Sequence, residues 1–167
     1  AVARDAREWD EWFGRSIDIG GLEKERNILR YRPAPTQVRG CADAKLVDVA
    51  RVVAAGLLAA GDDISVCLDP SLDEGLGRAL RSVGVAVTTA SDEDWYASLG
   101  ASRVRLVGGS PSRAADEADG DPDLALWANE VTSAPQVELL PFLREQSVSM
   151  TAHRFGNPDA GVLSVRL

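Results

Sequence analysis

Hydrophobic and polar positions along the chain follow two periods. In residues 3–13, Trp9, Trp12 and Phe13 stand three and four apart, on one face of a helix. Residues 17–22 carry Gly20-Gly21 and read as a loop. A loose alternation over 27–32 reads as a strand that ends before Pro33. From residue 37 the rhythm becomes regular. Strands are predicted over 37–41, 64–68, 85–89, 104–107 and 124–127. Between them lie four helices. The first, over 45–60, has Leu46, Val49, Val53 and Leu57 on one side, Gly56 for close packing and Gly61 as a C-terminal stop. The second is expected to open at Pro70, to bury Leu72, Leu76, Leu80 and Val83, and to end at Gly84. The third, over 91–99, has Ser91 as its cap and Asp92, Glu93 and Asp94 at the positive end of its dipole. The fourth covers 112–118. Beyond these, 137–145 is predicted helical with Pro141 as a kink or boundary, and 148–151 and 162–165 as final strands.

Strands alternating with helices imply parallel strands joined by crossovers. The expected fold class is α/β: a Rossmann-like, doubly wound, mostly parallel sheet with helices on both faces. The chain divides into an N-terminal helix and connecting segment (1–33), a dinucleotide-binding-like domain (34–136) and a C-terminal tail (137–167).

Composition narrows the function classes. The 167 residues suit one domain, with 45 % hydrophobic and 26 % charged residues. The net charge of -8, without a Lys/Arg cluster, argues against a nucleic-acid partner. The longest apolar run, 47–60, is broken by Asp48 and Arg51, too short to span a bilayer. The polar N-terminus lacks a signal-peptide pattern, and no initiator Met stands at position 1, as in a fragment or processed chain. Two cysteines make no disulfide framework, so the expected compartment is the cytoplasm.

Candidate chemistry is sparse. Cys41 and Cys67 have no His nearby in sequence and read as small buried hydrophobes. His153, the single histidine, lacks companion ligands for a metal and reads as a structural or interface residue. Gly108-Gly109-Ser110 follows a strand and precedes a helix, where a nucleotide fold cradles phosphate. It departs from G-x-G-x-x-G, and Pro111 removes a donor, so a plain βα turn is the better reading. Leu139, Leu140, Phe142 and Phe155 are either core or a docking arm.

Two resemblances add to this reading. Residues 43–71, with Ala-Ala-Gly-Leu-Leu-Ala-Ala-Gly-Asp-Asp-Ile-Ser-Val-Cys-Leu-Asp-Pro-Ser at their core, resemble the cofactor domain of aldehyde dehydrogenases. There an Ala-rich helix ends at Gly-Asn and a strand runs into Lys-Pro; here the matching positions are Gly61-Asp62 and Asp69-Pro70. The resemblance implies that Asp69 replaces a cofactor-contacting Lys, and that Leu106-Val107-Gly108-Gly109-Ser110 is a degraded phosphate turn. The nucleophile and base motifs of that family do not occur in this sequence.

The second match is more specific. Gly21-Leu22-Glu23-Lys24-Glu25-Arg26-Asn27 with Tyr31-Arg32-Pro33 resembles proline utilisation A proteins. So do Glu138-Leu139-Leu140-Pro141-Phe142-Leu143-Arg144-Glu145-Gln146-Ser147-Val148-Ser149 and Met150-Thr151-Ala152-His153-Arg154-Phe155-Gly156, which look like actinobacterial L-glutamate-γ-semialdehyde (1-pyrroline-5-carboxylate) dehydrogenases with long C-termini. Proline utilisation A proteins join a flavin proline dehydrogenase to an NAD-dependent aldehyde dehydrogenase, and their longer members add a relic of the cofactor fold. The resemblance implies a non-catalytic C-terminal domain that binds no cofactor itself, inside a parent using NAD, and FAD where proline dehydrogenase is fused. Its partners would be the catalytic domains of the same polypeptide, in a parent that can be a homo-oligomer. It would act as a lid and assembly element in substrate channelling, with Leu139, Leu140, Phe142, Arg144, His153 and Phe155 as interface candidates. The rival is a working nucleotide module holding phosphate at Gly108–Ser110; a third reading is a small enzyme using Cys41 or Cys67.

Overall fold

The computed structural model describes residues 1–22, 24–154, 157–158, 161 and 164–165, without the side chains of 153, 154, 157 and 158. Five parallel strands form the central sheet: β3 (Thr36–Gly40), β4 (Ile64–Leu68), β5 (Ala86–Thr89), β6 (Arg103–Val107) and β7 (Ala125–Trp127). Their spatial order is β5-β4-β3-β6-β7. The chain winds outward from β3 on one side, then returns to the other side of β3 and winds out again. This is the doubly wound Rossmann-like arrangement.

The two windings cover opposite faces, and strand alternation decides which side chains meet them. Val38, Val66, Leu68 and Val107 share a buried cluster with α2 (Leu46–Ala60) and with Leu80 of α3 (Glu74–Ser82). Cys67, Val104 and Leu106 point the other way, onto Trp95 and Tyr96 of α4 (Asp92–Ala97) and Ala114 of α5 (Pro111–Glu117). Ser91 caps α4, accepting from Asp94 N at 3.1 Å.

Three helix expectations are corrected. Leu46 and Leu57 are partly exposed; Val52, Gly56 and Ala59 complete the buried side of α2 instead. The helix expected at Pro70 starts at Glu74, because Asp73 caps it by accepting from Gly75 N, and its last apolar residue, Val83, is exposed. The segment expected as a helix over 137–145 contains a single turn, α6 (Pro135–Glu138), and a 3-10 turn at Leu140–Phe142. Pro141 lacks the N–H that a longer helix would need. The chain then extends into β8 (Leu143–Thr151).

The N-terminal part also differs from expectation. A helix, α1 (Val2–Glu8), passes into a π turn at Trp9–Phe13, and the expected loop after it contains β1 (Ile17–Asp18). β2 (Glu25–Pro33) runs through Pro33 and pairs antiparallel with β8 over nine residues, Glu25↔Thr151 to Pro33↔Leu143. The result is a long ribbon, ordered β1-β2-β8, separate from the central sheet. β9 (His153–Arg154) and β10 (Asn157–Pro158) form a short antiparallel pair. Of the strand expected over 162–165, residues 162 and 163 lie outside the described residues, and Ser164 is in a turn.

The ribbon is anchored where β8 leaves the core. Phe142 is fully buried against Gly56, whose missing side chain makes room: a Cβ there would lie 2.7 Å from the ring. Thr36 and Arg103 both donate to the carbonyl of Pro141, and Arg103 also reaches that of Leu143. Behind them, Arg105 is wholly buried in β6 and meets the equally buried Glu138 at 3.2 Å through both carboxylate oxygens. Glu138 also accepts from Thr132 N, and Arg105 donates to the carbonyls of Leu106 and Asn129. A buried guanidinium is tolerated only with such compensation. Glu138→Ala would strand Arg105. We expect a loss of about 3–5 kcal/mol in urea unfolding; a loss below about 1 kcal/mol would show that the pair does not anchor the tail.

Candidate functional site

In a doubly wound sheet, ligands bind outside the C-terminal strand ends where the winding reverses. Here that point lies between β3 and β6, bordered by residues 41–45 and 108–110. A cleft of about 540 Å³ opens there, lined by Asp43, Lys45, Asp48, Gly108, Gly109 and Glu130 among others. Three carboxylates face one ammonium group, an adverse balance for a dinucleotide pyrophosphate.

Gly108 and Gly109 both have left-handed backbone, φ 73° and 71°. Such a turn can aim successive N–H groups at a phosphate. In this chain those donors are already engaged. Gly109 N donates to Asp43 Oδ1 at 2.7 Å, and Ser110 N donates to the Tyr96 hydroxyl at 2.8 Å. The Ser110 side chain caps α5 through Arg113 N. A Cβ on Gly108 would strike Asp43 and Ala44; one on Gly109 would strike Cys41 and Tyr96. The glycines thus admit the chain's own side chains, and Asp43 occupies a donor of the turn. Sequence reading placed the turn correctly but passed over Asp43 and Tyr96, which are distant in sequence from it.

On the other side of β3, Asp69 follows β4 and is buried. Its Oδ1 accepts from the N–H and hydroxyl of Ser71, and its Oδ2 from Asp92 N. Oδ2 also lies 3.6 Å from Arg39 Nη2. Arg39 is fully buried in the middle of β3. It bonds Asp92 at 2.6 Å, the carbonyl of Ala90 at 3.0 Å and the Cys67 sulfur at 3.2 Å, and it lies 5.3 Å from the Trp95 ring. Asp92 in turn accepts from Ala42 N. Burial pushes the Asp69 carboxyl upward, but its bonds from Ser71 and Asp92 and the nearby Arg39 charge prevail and hold it below 3.8. Both carboxylate oxygens therefore serve the fold, leaving little capacity for a ribose or adenine.

Neither thiol is equipped as a nucleophile. Cys41 and Cys67 are buried. Burial, reinforced by the Asp92 charge and only partly offset by Arg39, pushes Cys41 up to about 12. A thiol at that value is almost wholly protonated near neutrality. Among the described residues no cluster could hold a metal ion, and no helix is long and apolar enough to cross a membrane.

The interface candidates separate. Leu139 and Phe142 are fully buried in the core, which corrects their assignment as contact residues. Leu140 is 41 % exposed and Arg144 lies on the exposed part of β8. His153 falls in β9 with its side chain outside the described set, and Phe155 lies outside the described residues.

A comparison with solved structures now bears on this geometry. The chain is similar to Proline Utilization A (PutA) from Corynebacterium freiburgense, at 25 % identity and a TM-score of 0.59. The likeness supports a PutA-related domain. It covers 93 % of this chain and 13 % of that one, so this chain corresponds to a small part of the neighbour. No protein-family model and no curated protein matches the chain.

The Asp69 environment makes a pH test. Its folded pKa is depressed, so its contribution to stability is present above 3.8 and is lost as pH falls through the folded value. Asp69→Asn should cost about 1–2 kcal/mol at neutral pH. The gap between wild type and variant should narrow in acid unfolding below 3.8. A gap that persists unchanged into strong acid would contradict this assignment.

Proposed function

We propose that this chain is a non-catalytic accessory domain of a proline-catabolism oxidoreductase. The carrying observation is internal occupation of the dinucleotide site: Asp43 and Tyr96 hold the turn donors, while Arg39, Ser71 and Asp92 hold Asp69. A fold with its ligand positions filled by its own side chains is kept for shape and contact. The likeness to PutA supports placing that role in proline breakdown. The parent reaction on this reading is NAD-dependent oxidation of L-glutamate γ-semialdehyde to glutamate by an aldehyde dehydrogenase-like 1-pyrroline-5-carboxylate dehydrogenase, with a flavin proline dehydrogenase on the same polypeptide.

Within that enzyme the domain acts as lid and assembly element. The ribbon supplies the contact. β8 is an edge strand, its outer edge unpaired among the described residues and most of its length exposed. A long exposed edge is a liability in an isolated domain and an asset where a neighbouring surface covers it. Leu140 and Val137, both 41 % exposed, extend the contact from the anchor of β8. Docked on the catalytic domains, this surface would shelter the reactive semialdehyde between the two active sites, with the chemistry supplied elsewhere in the polypeptide.

The role is tested in the parent enzyme. Removing the residues that correspond to this chain should introduce a lag in glutamate formation from proline, with free semialdehyde trapped by an added amine. Coupled turnover without a lag would exclude the lid role.

A further inference from the structure

The ribbon has an electrostatic feature that its own folding does not explain. In the β2–β8 register, directly opposed residues lie on the same face, and faces alternate. One face carries the pairs Arg26/Met150, Ile28/Val148, Arg30/Gln146 and Arg32/Arg144. Arg26 reaches the carbonyl of Val165, and Arg30 is bonded to Gln146. Arg32 and Arg144 are both exposed and face each other across the strands. Like charges in direct cross-strand opposition destabilise a ribbon. Among the described residues neither has an ion-pair partner. A third guanidinium feels the Arg144 charge: Arg103 lies 4.4 Å from the Trp127 ring, its pKa lowered by burial and then by Arg144.

Two exposed arginines in direct cross-strand register offer planar forks of donors and no acceptor. A carboxylate fits them with two pairs of oxygen lone pairs and cancels the repulsion. We propose that the Arg32/Arg144 face of the ribbon is a docking site for an acidic protein surface, one of whose carboxylates bridges the two arginines. The inference rests on reading this chain as a docking domain and adds the chemistry of the partner. Protein is favoured over nucleic acid by charge. A phosphate backbone extends past the ribbon and meets a chain of net charge -8, with acids at 116, 117, 119, 121 and 123. A few carboxylates seated on the ribbon interact mainly with charges within about 10 Å. The unpaired edge of β8 beside Arg144 further suits a polypeptide, whose main chain can bond to it.

Two measurements on the 167-residue chain test the bridge. In thermal unfolding, Arg32→Gln or Arg144→Gln alone should raise Tm by about 2 °C, as relief of opposed charges would. An unchanged or lower Tm would remove the repulsion on which the proposal stands. In anisotropy titrations, a short labelled peptide of alternating glutamate and valine should bind in a salt-dependent way. The double variant should bind it about tenfold more weakly, and a lysine–valine peptide should not bind. No binding of the glutamate peptide, equal binding by the double variant, or tighter binding of single-stranded DNA would each overturn the proposal. A parent enzyme that depends on this domain, paired with a chain indifferent to the glutamate peptide, would sink the bridge and leave the docking role intact. The reverse pair of results would sink the docking role alone.

Discussion

Arg39 is the residue around which the sheet's ligand edge is organised. It stands fully buried in the middle strand and must be neutralised there. Asp92 at the start of α4 and Asp69 at the end of β4 do this, with Cys67 and the Ala90 carbonyl taking further donors. The same Asp92 accepts from Ala42, and the same Asp69 fixes Ser71 and the α4 entry. One buried charge therefore draws the loops after β3, β4 and β5 together. The loop after β3 also borders the switch-point crevice at which a dinucleotide fold takes its ligand.

The turn after β6 is held by a related device. Asp43 and Tyr96 supply oxygens to the turn after β6, so its glycine conformation survives although its donors face inward. On the proposed reading the fold is retained as a platform while these donors serve internal bonds. Arg103 and Arg105 of β6 grip the turn around Pro141 and Glu138, and from that grip β8 leaves the core as an exposed ribbon strand.

Much of the fold was legible in the sequence. Strand β4 matches its predicted limits, β3 shifts by one residue at both ends, and the other central strands shift by one at their start, because short runs between helices leave little freedom. The misread parts share one cause. Residues 137–145 carry apolar residues at helical spacing, but Leu139 and Phe142 are drawn into a core assembled from distant segments, and Pro141 ends the turn. The strand after them is polar, and its pairing with β2 depends on residues more than a hundred positions away. The candidate site was legible at Gly108–Ser110 and Asp69. The residues that bond these positions, Asp43, Tyr96, Arg39 and Asp92, approach through space. The arginines within apolar strands β3 and β6 were the available signal, since a buried guanidinium requires a partner elsewhere.

The central claim, that internal side chains have taken over the cofactor positions, is tested most directly by calorimetric titration of the folded chain with NAD⁺. The account predicts no saturable heat at millimolar cofactor. One-site binding per chain, weakened by substitution at Gly109, would contradict it and return Gly108–Ser110 to the role of a working phosphate turn.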